Sequence, residues 1–359
     1  MNSDTSDREQ SVHQQLAVEI AGCFSELPQV EAVALSGSRG RGAGRTDTAS
    51  DIDLYVYTSG SVPLESRRAI VARTGGASVA NLDLNYWGAG DEWFNTPTGI
   101  EVDIVYFEAR WMEEQIARVI DRHEASLGFS TCFWHTIRQS APLYDPKAWF
   151  AGLQERCQVE YPEPLRQNIV RLNHPVLRGV IPAYAHQLDK AVARRDLASI
   201  NHRVAALLAS YFDILLAANR LLHPGEKRMI DFAVHNCSML PANFEADLEA
   251  VLLLSAAQVS ELPKRVTALL DQLDEMLVQK EFSWVIKLSA EEARAERETT
   301  ELQQRLLTFE RQYHLTSEEF YRQYEAGMLG DSADFMEWSS FYDMWRSAQE
   351  YLNSMRRKA

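Results

Sequence analysis

Apolar and polar positions alternate most sharply within residues 33–57, which read VALSGSRGRGAGRTDTASDIDLYVY. Ile52, Leu54 and Val56 are apolar, and Asp51, Asp53 and Tyr55 fall between them. Strand side chains change face at every residue, so this run predicts a strand with both carboxylates on one face. Residues 99–107 (GIEVDIVYF) alternate in the same way and put Asp103 on the face opposite Val102 and Ile104. Residues 31–35 and 80–86 complete the predicted strands, and residues 91–98 read as a turn or hairpin tip. Residues 12–25 and 63–71 read as helices, the first ended by Pro28. The pattern predicts a small mixed sheet with helices on one side over residues 13–109, behind a disordered tail at residues 1–12.

Beyond residue 109 the period is helical almost throughout. Helices are expected over 111–123, 129–138, 147–159, 165–172, 182–195, 197–222, 227–236, 244–254, 263–279 and 290–313, with a turn at 143–146. Ser289-x-x-Glu292 and Thr316-x-x-Glu319 match capping boxes. Leu302, Leu306, Phe309 and Tyr313 form one helical stripe, and Phe335, Trp338, Tyr342 and Trp345 form another. The fold class is therefore α+β: a mixed-sheet domain, a larger all-α bundle at 110–288, and a C-terminal helical module at 289–359. That module weakly resembles small helical modules of bacterial antitoxins. It reads either as an interaction or oligomerisation element or as a hairpin packed on the bundle.

Composition narrows the function. The chain has 359 residues, enough for two domains and a small third. Its net charge of −15 argues against a general DNA or RNA binder, which needs a basic footprint, and suits a cationic small substrate. Cys23, Cys132, Cys157 and Cys237 form no Cys-x-x-Cys pair, which predicts reduced thiols in a cytoplasmic setting. The N-terminal stretch MNSDTSDREQ has no apolar core of a signal peptide. The most apolar stretch, 205–222, contains Asp213, Asn219 and Arg220 and reads as a buried helix, not a membrane span.

The acids carry the candidate chemistry. Two carboxylates on one strand face repel unless a cation lies between them. Mg²⁺ takes hard oxygen ligands and keeps positions open for phosphates. With Asp103 on a neighbouring strand, Asp51 and Asp53 would complete a two-metal site, with ions about 4 Å apart, for in-line phosphoryl displacement. Gly37 and Ser38, just upstream, would present backbone amides and a hydroxyl to phosphate oxygens.

Gly37-Ser38, then Ser50-Asp51-Ile52-Asp53-Leu54, then Asp103 between apolar residues, resembles the nucleotidyltransferase fold of the DNA polymerase β superfamily. The chain is most similar to stand-alone bacterial members, including the aminoglycoside and lincosamide adenylyltransferases. The core likeness covers residues 30–108; Asp91-Glu92-Trp93 and residues 219–228 (NRLLHPGEKR) extend it. The loop from Ser38 to Asp51 departs from the usual spacing by a glycine- and arginine-rich insert. The resemblance implies two Mg²⁺ ions on Asp51, Asp53 and Asp103, with ATP or another nucleoside triphosphate as donor. It places Gly37, Ser38, Arg39 and Ser50 at the triphosphate, with Arg41 and Arg45 adding charge. Lys227 would reach the triphosphate from a helical domain that closes over nucleotide and acceptor. Asp103 or Glu92 would take the acceptor's proton. The acceptor is a hydroxyl-bearing small molecule, an antibiotic among the options. Two other readings stand beside it: a toxin–antitoxin-type or regulatory enzyme modifying a protein or tRNA, and a non-catalytic nucleotide-binding module.

Overall fold

The computed structural model describes residues 2–37, 51–86, 88–256, 258–330 and 332–358, without the side chains of 2–11, 288–290, 292–293 and 356–358. The chain divides into two compact units. The first comprises Met1–Glu124, Thr131–Pro162 and Leu222–Gly225; the second comprises Ala125–Ser130, Glu163–Leu221 and Glu226–Ala359.

The first unit is built on a six-stranded mixed sheet. Its strands are β1 (Val30–Leu35), β2 (Ile52–Thr58), β3 (Ala77–Leu84), β4 (Gly90–Asn95), β5 (Glu101–Glu108) and β6 (Ala141–Tyr144). They lie in the order β3-β4-β5-β2-β1-β6. β2 and β5 are parallel, and the other neighbours are antiparallel. Ile52, Leu54, Val102, Ile104 and Trp93 line one face, as the alternation requires. They pack with Leu16, Ile20 and Phe24 of α1 (Asn2–Phe24) and with Ile70 and Val71 of α2 (Leu64–Arg73). Each such side chain contributes roughly 1.5–3 kcal/mol through burial.

Helices cover the other face as well, which corrects the one-sided arrangement expected. Tyr57 and Phe107 project there and meet aromatics of α3 (Ala109–Ile120), α4 (Cys132–Gln139) and α5 (Trp149–Arg156). Ring centroids lie 5.2 Å apart for Tyr57 with Trp149 and with Phe150. They lie 5.7 Å apart for Phe107 and Trp111, and 6.1 Å for Phe107 and Phe133. The large aromatics at the far ends of β2 and β5 need this cover, so the sheet unit runs past residue 109.

Three local expectations also change. Residues 91–95 belong to β4; the turn comes after them, where Thr98 N donates to Asn95 Oδ1 at 3.2 Å and Gly99 takes φ +69°. Residues 141–144 form an edge strand paired with β1, where Pro142 is tolerated and alternation is too short to read. The first helix extends through the expected tail to Asn2.

The second unit is helical. It holds α6 (Glu163–His174), α7 (Tyr184–Arg194), α8 (Leu197–Ala218), α9 (Met229–Asn236), α10 (Phe244–Leu254), α11 (Leu262–Gln279), α12 (Ser283–Tyr313), α13 (Ser317–Glu325) and α14 (Ala333–Lys358). Among the described residues α8 is the one helix long and apolar enough to cross a membrane, and 61% of its apolar window is buried inside the protein. Its Asp213 is buried and accepts from Ser130 N at 3.0 Å, Ser130 Oγ at 2.6 Å and Asn173 Nδ2 at 3.4 Å. Thr316 caps α13, accepting from Glu319 N at 3.3 Å, as the capping box predicts. Ser289 instead lies inside the unbroken α12, so no helix starts there and no boundary falls at residue 289. The stacked rings of Phe320 and Trp338, 3.9 Å apart, hold α13 to α14.

Candidate functional site

The register of three strands assembles the acids. Asp53 of β2 is the direct partner of Asp103 in β5, and Asp103 is the direct partner of Glu92 in β4. Directly paired side chains share a face and stand about 5 Å apart at Cβ. Asp53, Asp103 and Glu92 therefore form a row across three neighbouring strands. Asp51 and Glu101 sit one pleat along on the same face, each two residues before an acid of the row. All of these side chains are half-buried.

Electrostatics marks this face as a concentration of negative charge. Burial is the first cause that raises the Glu101 carboxyl above its ordinary pKa. A hydrogen bond with Glu92 follows, then the charges of Glu92, Asp51 and Asp103. Tyr55, next along the face, is also raised, by burial and then by the Asp53 charge.

Gly37 shapes the same place. It has φ +59°, and a Cβ built on it would stand 1.6 Å from Asp53 Oδ2 and 2.5 Å from Asp53 Cγ. Only a residue without a side chain lets the backbone leaving β1 pass so close to that carboxylate. Ser36 N donates to Asp53 O at 2.9 Å and fixes the approach. The structure thus places Gly37 against Asp53.

The neighbours of Glu92 show how alternation separates roles. Asp91 is buried and accepts from Arg67 Nη1 at 3.0 Å, the Asp83 amide at 2.8 Å and Tyr106 OH at 2.6 Å. Trp93 is buried in the apolar core. Glu92, between them, faces the other acids. Its assignment to a hairpin tip is corrected: it stands inside a strand, because Trp93 and Asp91 anchor that segment to the core.

The other predicted residues belong to the second unit or lie outside the described residues. Ser38, Arg39, Arg41, Arg45 and Ser50 lie outside the described residues. Lys227 belongs to the helical unit and is exposed in the turn before α9. Residues 219–228 are divided between the units: Leu222–Gly225 counts with the sheet, where His223 N donates to Thr131 Oγ1 at 2.8 Å. Burial pushes His223 down to about 4, and His135 likewise. Tyr211 is a core residue stacked on Phe244.

Sequence reading missed Glu101. The signal was present, because Glu101 precedes Asp103 by two in one alternating run, as Asp51 precedes Asp53.

The donors on this face are all carboxylate oxygens, the set that Mg²⁺ prefers. They lie in two rows along the pleat, and among the described residues no three or more His, Cys, Asp or Glu side chains are gathered around one point. Asp53 and Asp103 are the paired donors, with Asp51 one pleat away.

No family model and no curated protein matches the chain. Among solved structures, a nucleotidyltransferase-like protein from Exiguobacterium sibiricum aligns over 74% of this chain and 73% of that chain, at 12% identity and a TM-score of 0.35.

Proposed function

We propose that the carboxylate face carries out nucleotidyl transfer, moving a nucleoside monophosphate, AMP from ATP, to a hydroxyl of a small molecule. The observation that carries this reading is the in-register pair Asp53 and Asp103, with Glu92 beside Asp103 and Gly37 against Asp53. It joins the ordered motif of the sequence to one surface of the sheet.

In this reading Asp51, Asp53 and Asp103 hold Mg²⁺. When bound, the metal neutralises the triphosphate and stabilises charge on the α-phosphate. The acceptor oxygen bonds to the α-phosphorus, the bond to the bridging oxygen of the β-phosphate breaks, and pyrophosphate leaves. In this reading Glu92, next to Asp103 in register, takes the hydroxyl proton. Gly37 lets the backbone leaving β1 pass beside Asp53 with no side chain between them. Glu101 and Glu92 add negative charge where the acceptor approaches, which favours an acceptor bearing amines, as does the net charge of −15.

The test is transfer of label from α-phosphate-labelled ATP with Mg²⁺. Acceptors are a fractionated lysate and a panel of aminoglycosides and lincosamides, with Asp53→Asn as control. Calorimetry of ATP binding with and without Mg²⁺ accompanies it. Label in a small-molecule fraction, lost in the variant, is the expected result. Transfer that survives Asp53→Asn, or ATP binding indifferent to Mg²⁺, would overturn the reading. Label in protein or RNA would move the acceptor to that class.

A further inference from the structure

We propose that the carboxylate face continues onto the edge of the sheet as a binding site for an ammonium-bearing ring of the acceptor, with Phe94 and Asn81 as the residues that select it. This rests on the reading of the face as a site of nucleotidyl transfer and adds where the acceptor lies. Strand register extends the row of acids past Glu92. Asn81 of β3 is the direct partner of Glu92, so one row runs Asn81, Glu92, Asp103, Asp53 across four strands. A second row, one pleat along, runs Val79, Phe94, Glu101. Alternation in β4 fixes the side: Asp91, Trp93 and Asn95 are buried, whereas Phe94 is 39% exposed. Its partner Val79 is 57% exposed, and Asn81 is exposed as well. β3 is an edge strand, two strand spacings or about 10 Å from β5. The face is therefore acidic over β2 and β5, mixed over β4, and apolar with one amide over β3.

The chemistry of the two rows identifies the occupant. Phe94 stands directly opposite Glu101 in register. A carboxylate attracts a cation by its charge, and an aromatic face attracts one by its quadrupole. Side by side, the two favour an ammonium group and disfavour a phosphate, which the same acids repel. A purely apolar ligand would strip water from Glu92 and Glu101 and give them no partner, at a cost in free energy. Val79 and Phe94, paired across the strands, offer apolar cover to the carbon face of a ring. Asn81 carries both an amide donor and a carbonyl acceptor, so it suits a hydroxyl or an amine. With its reacting hydroxyl at Glu92 and Asp103, the acceptor lays an ammonium-bearing ring against Phe94 and Asn81. Amino sugars and aminocyclitols combine amines, hydroxyls and apolar ring faces in this way.

Calorimetry on the full chain, with Mg²⁺ and a non-hydrolysable ATP analogue present, tests the site. Kanamycin is the amine-bearing probe, and its fully N-acetylated form is the uncharged control. Wild type is expected to bind kanamycin with a Kd below about 1 mM, and the acetylated form at least about tenfold more weakly. Phe94→Ala should weaken kanamycin at least about tenfold. Phe94→Leu, which keeps apolar cover without the ring, should weaken it about threefold, and Asn81→Ala about fivefold. Phe94→Trp should bind as tightly as wild type. Circular dichroism and binding of the ATP analogue should match wild type in all four variants. Kanamycin that does not bind wild type overturns the proposal, as does binding indifferent to Phe94→Ala and Asn81→Ala, or equal binding of the acetylated form. So does a Phe94→Ala chain that loses the ATP analogue as well, because Phe94 would then be structural. Each of those results leaves ATP binding by wild type to stand. Kanamycin binding that depends on Phe94 in a wild-type chain that ignores ATP would instead overturn the transfer reading and keep the amine site.

Discussion

Asp91 and Glu92 are adjacent in β4, yet they belong to two different regions of the molecule. Asp91 points to the side closed by α1 and α2, where a guanidinium, a phenol and an amide all donate to it. Glu92 points to the side where its neighbours are Asp103 and Glu101. The first carboxylate is satisfied by the protein itself. The second stands among like charges, an arrangement that gains from a bound cation or a cationic substrate. Burial alone does not separate these two acids; the sign of what the described neighbours carry does.

The sharpest test of that contrast removes one charge from each side. Asp53→Asn keeps the shape of the side chain and deletes its charge. Transfer should fall about a thousandfold, the scale of losing one preorganised charge at a transition state. Thermal melting should shift by only about 2 °C or less. Asp91→Ala should show the reverse. It leaves the guanidinium of Arg67, whose side chain is 11% exposed, without its buried partner. Stability in urea should fall by about 3 kcal/mol, while activity per folded molecule stays near wild type. Equal effects of the two variants on both readouts would erase the distinction between the faces.

Gly37→Ala should move both readouts at once. A methyl group there collides with Asp53 and demands a positive φ, for a cost of about 1–3 kcal/mol. Displacing Asp53 should also cut Mg²⁺-dependent ATP binding, measured by calorimetry, more than about tenfold. Unchanged binding would show that the close approach of Gly37 is structural only.

The smallest effect belongs to a third kind of acid. Asp213 is pushed up to about 7 by burial, against the lowering effect of its hydrogen bonds from Ser130. The native chain keeps this proton to about pH 7. The unfolded chain releases it near the ordinary value of about 3.9. Between those values the native state binds more proton than the unfolded state, so stability falls as pH rises and levels off above pH 7. Asp213→Asn should flatten that part of the stability profile in chemical denaturation across pH. A wild-type profile that rises through the same window would show that Ser130 outweighs burial.

Much of the sheet unit was legible in the sequence because strand alternation is a local signal. Ile52, Leu54, Val102 and Ile104 announced one face, and Asp51, Asp53 and Asp103 the other. Glu92 was legible as a candidate but not as a strand residue, since β4 is held by long-range pairing with β3 and β5. The edge strand β6 was invisible because four residues with a proline carry no period. The position of Lys227 in the helical unit likewise followed from contacts distant in sequence.

The sequence by itself determined which residues share a face: period two along a strand and near 3.6 along a helix follow from backbone geometry alone. It also determined that the acids of β2 and β5 point away from the apolar core. Tertiary structure alone decided which acids meet. Register sets Asp53 against Asp103 and Asp103 against Glu92, and a shift of one residue would have turned an entire strand over. It alone decided that Gly37 lies on Asp53, that Arg67 meets Asp91, and that Glu92 lies beside Asp103 and Glu101. The physical reason is range: alternation is fixed by adjacent peptides, whereas pairing and charge environment depend on segments brought together by burying the core.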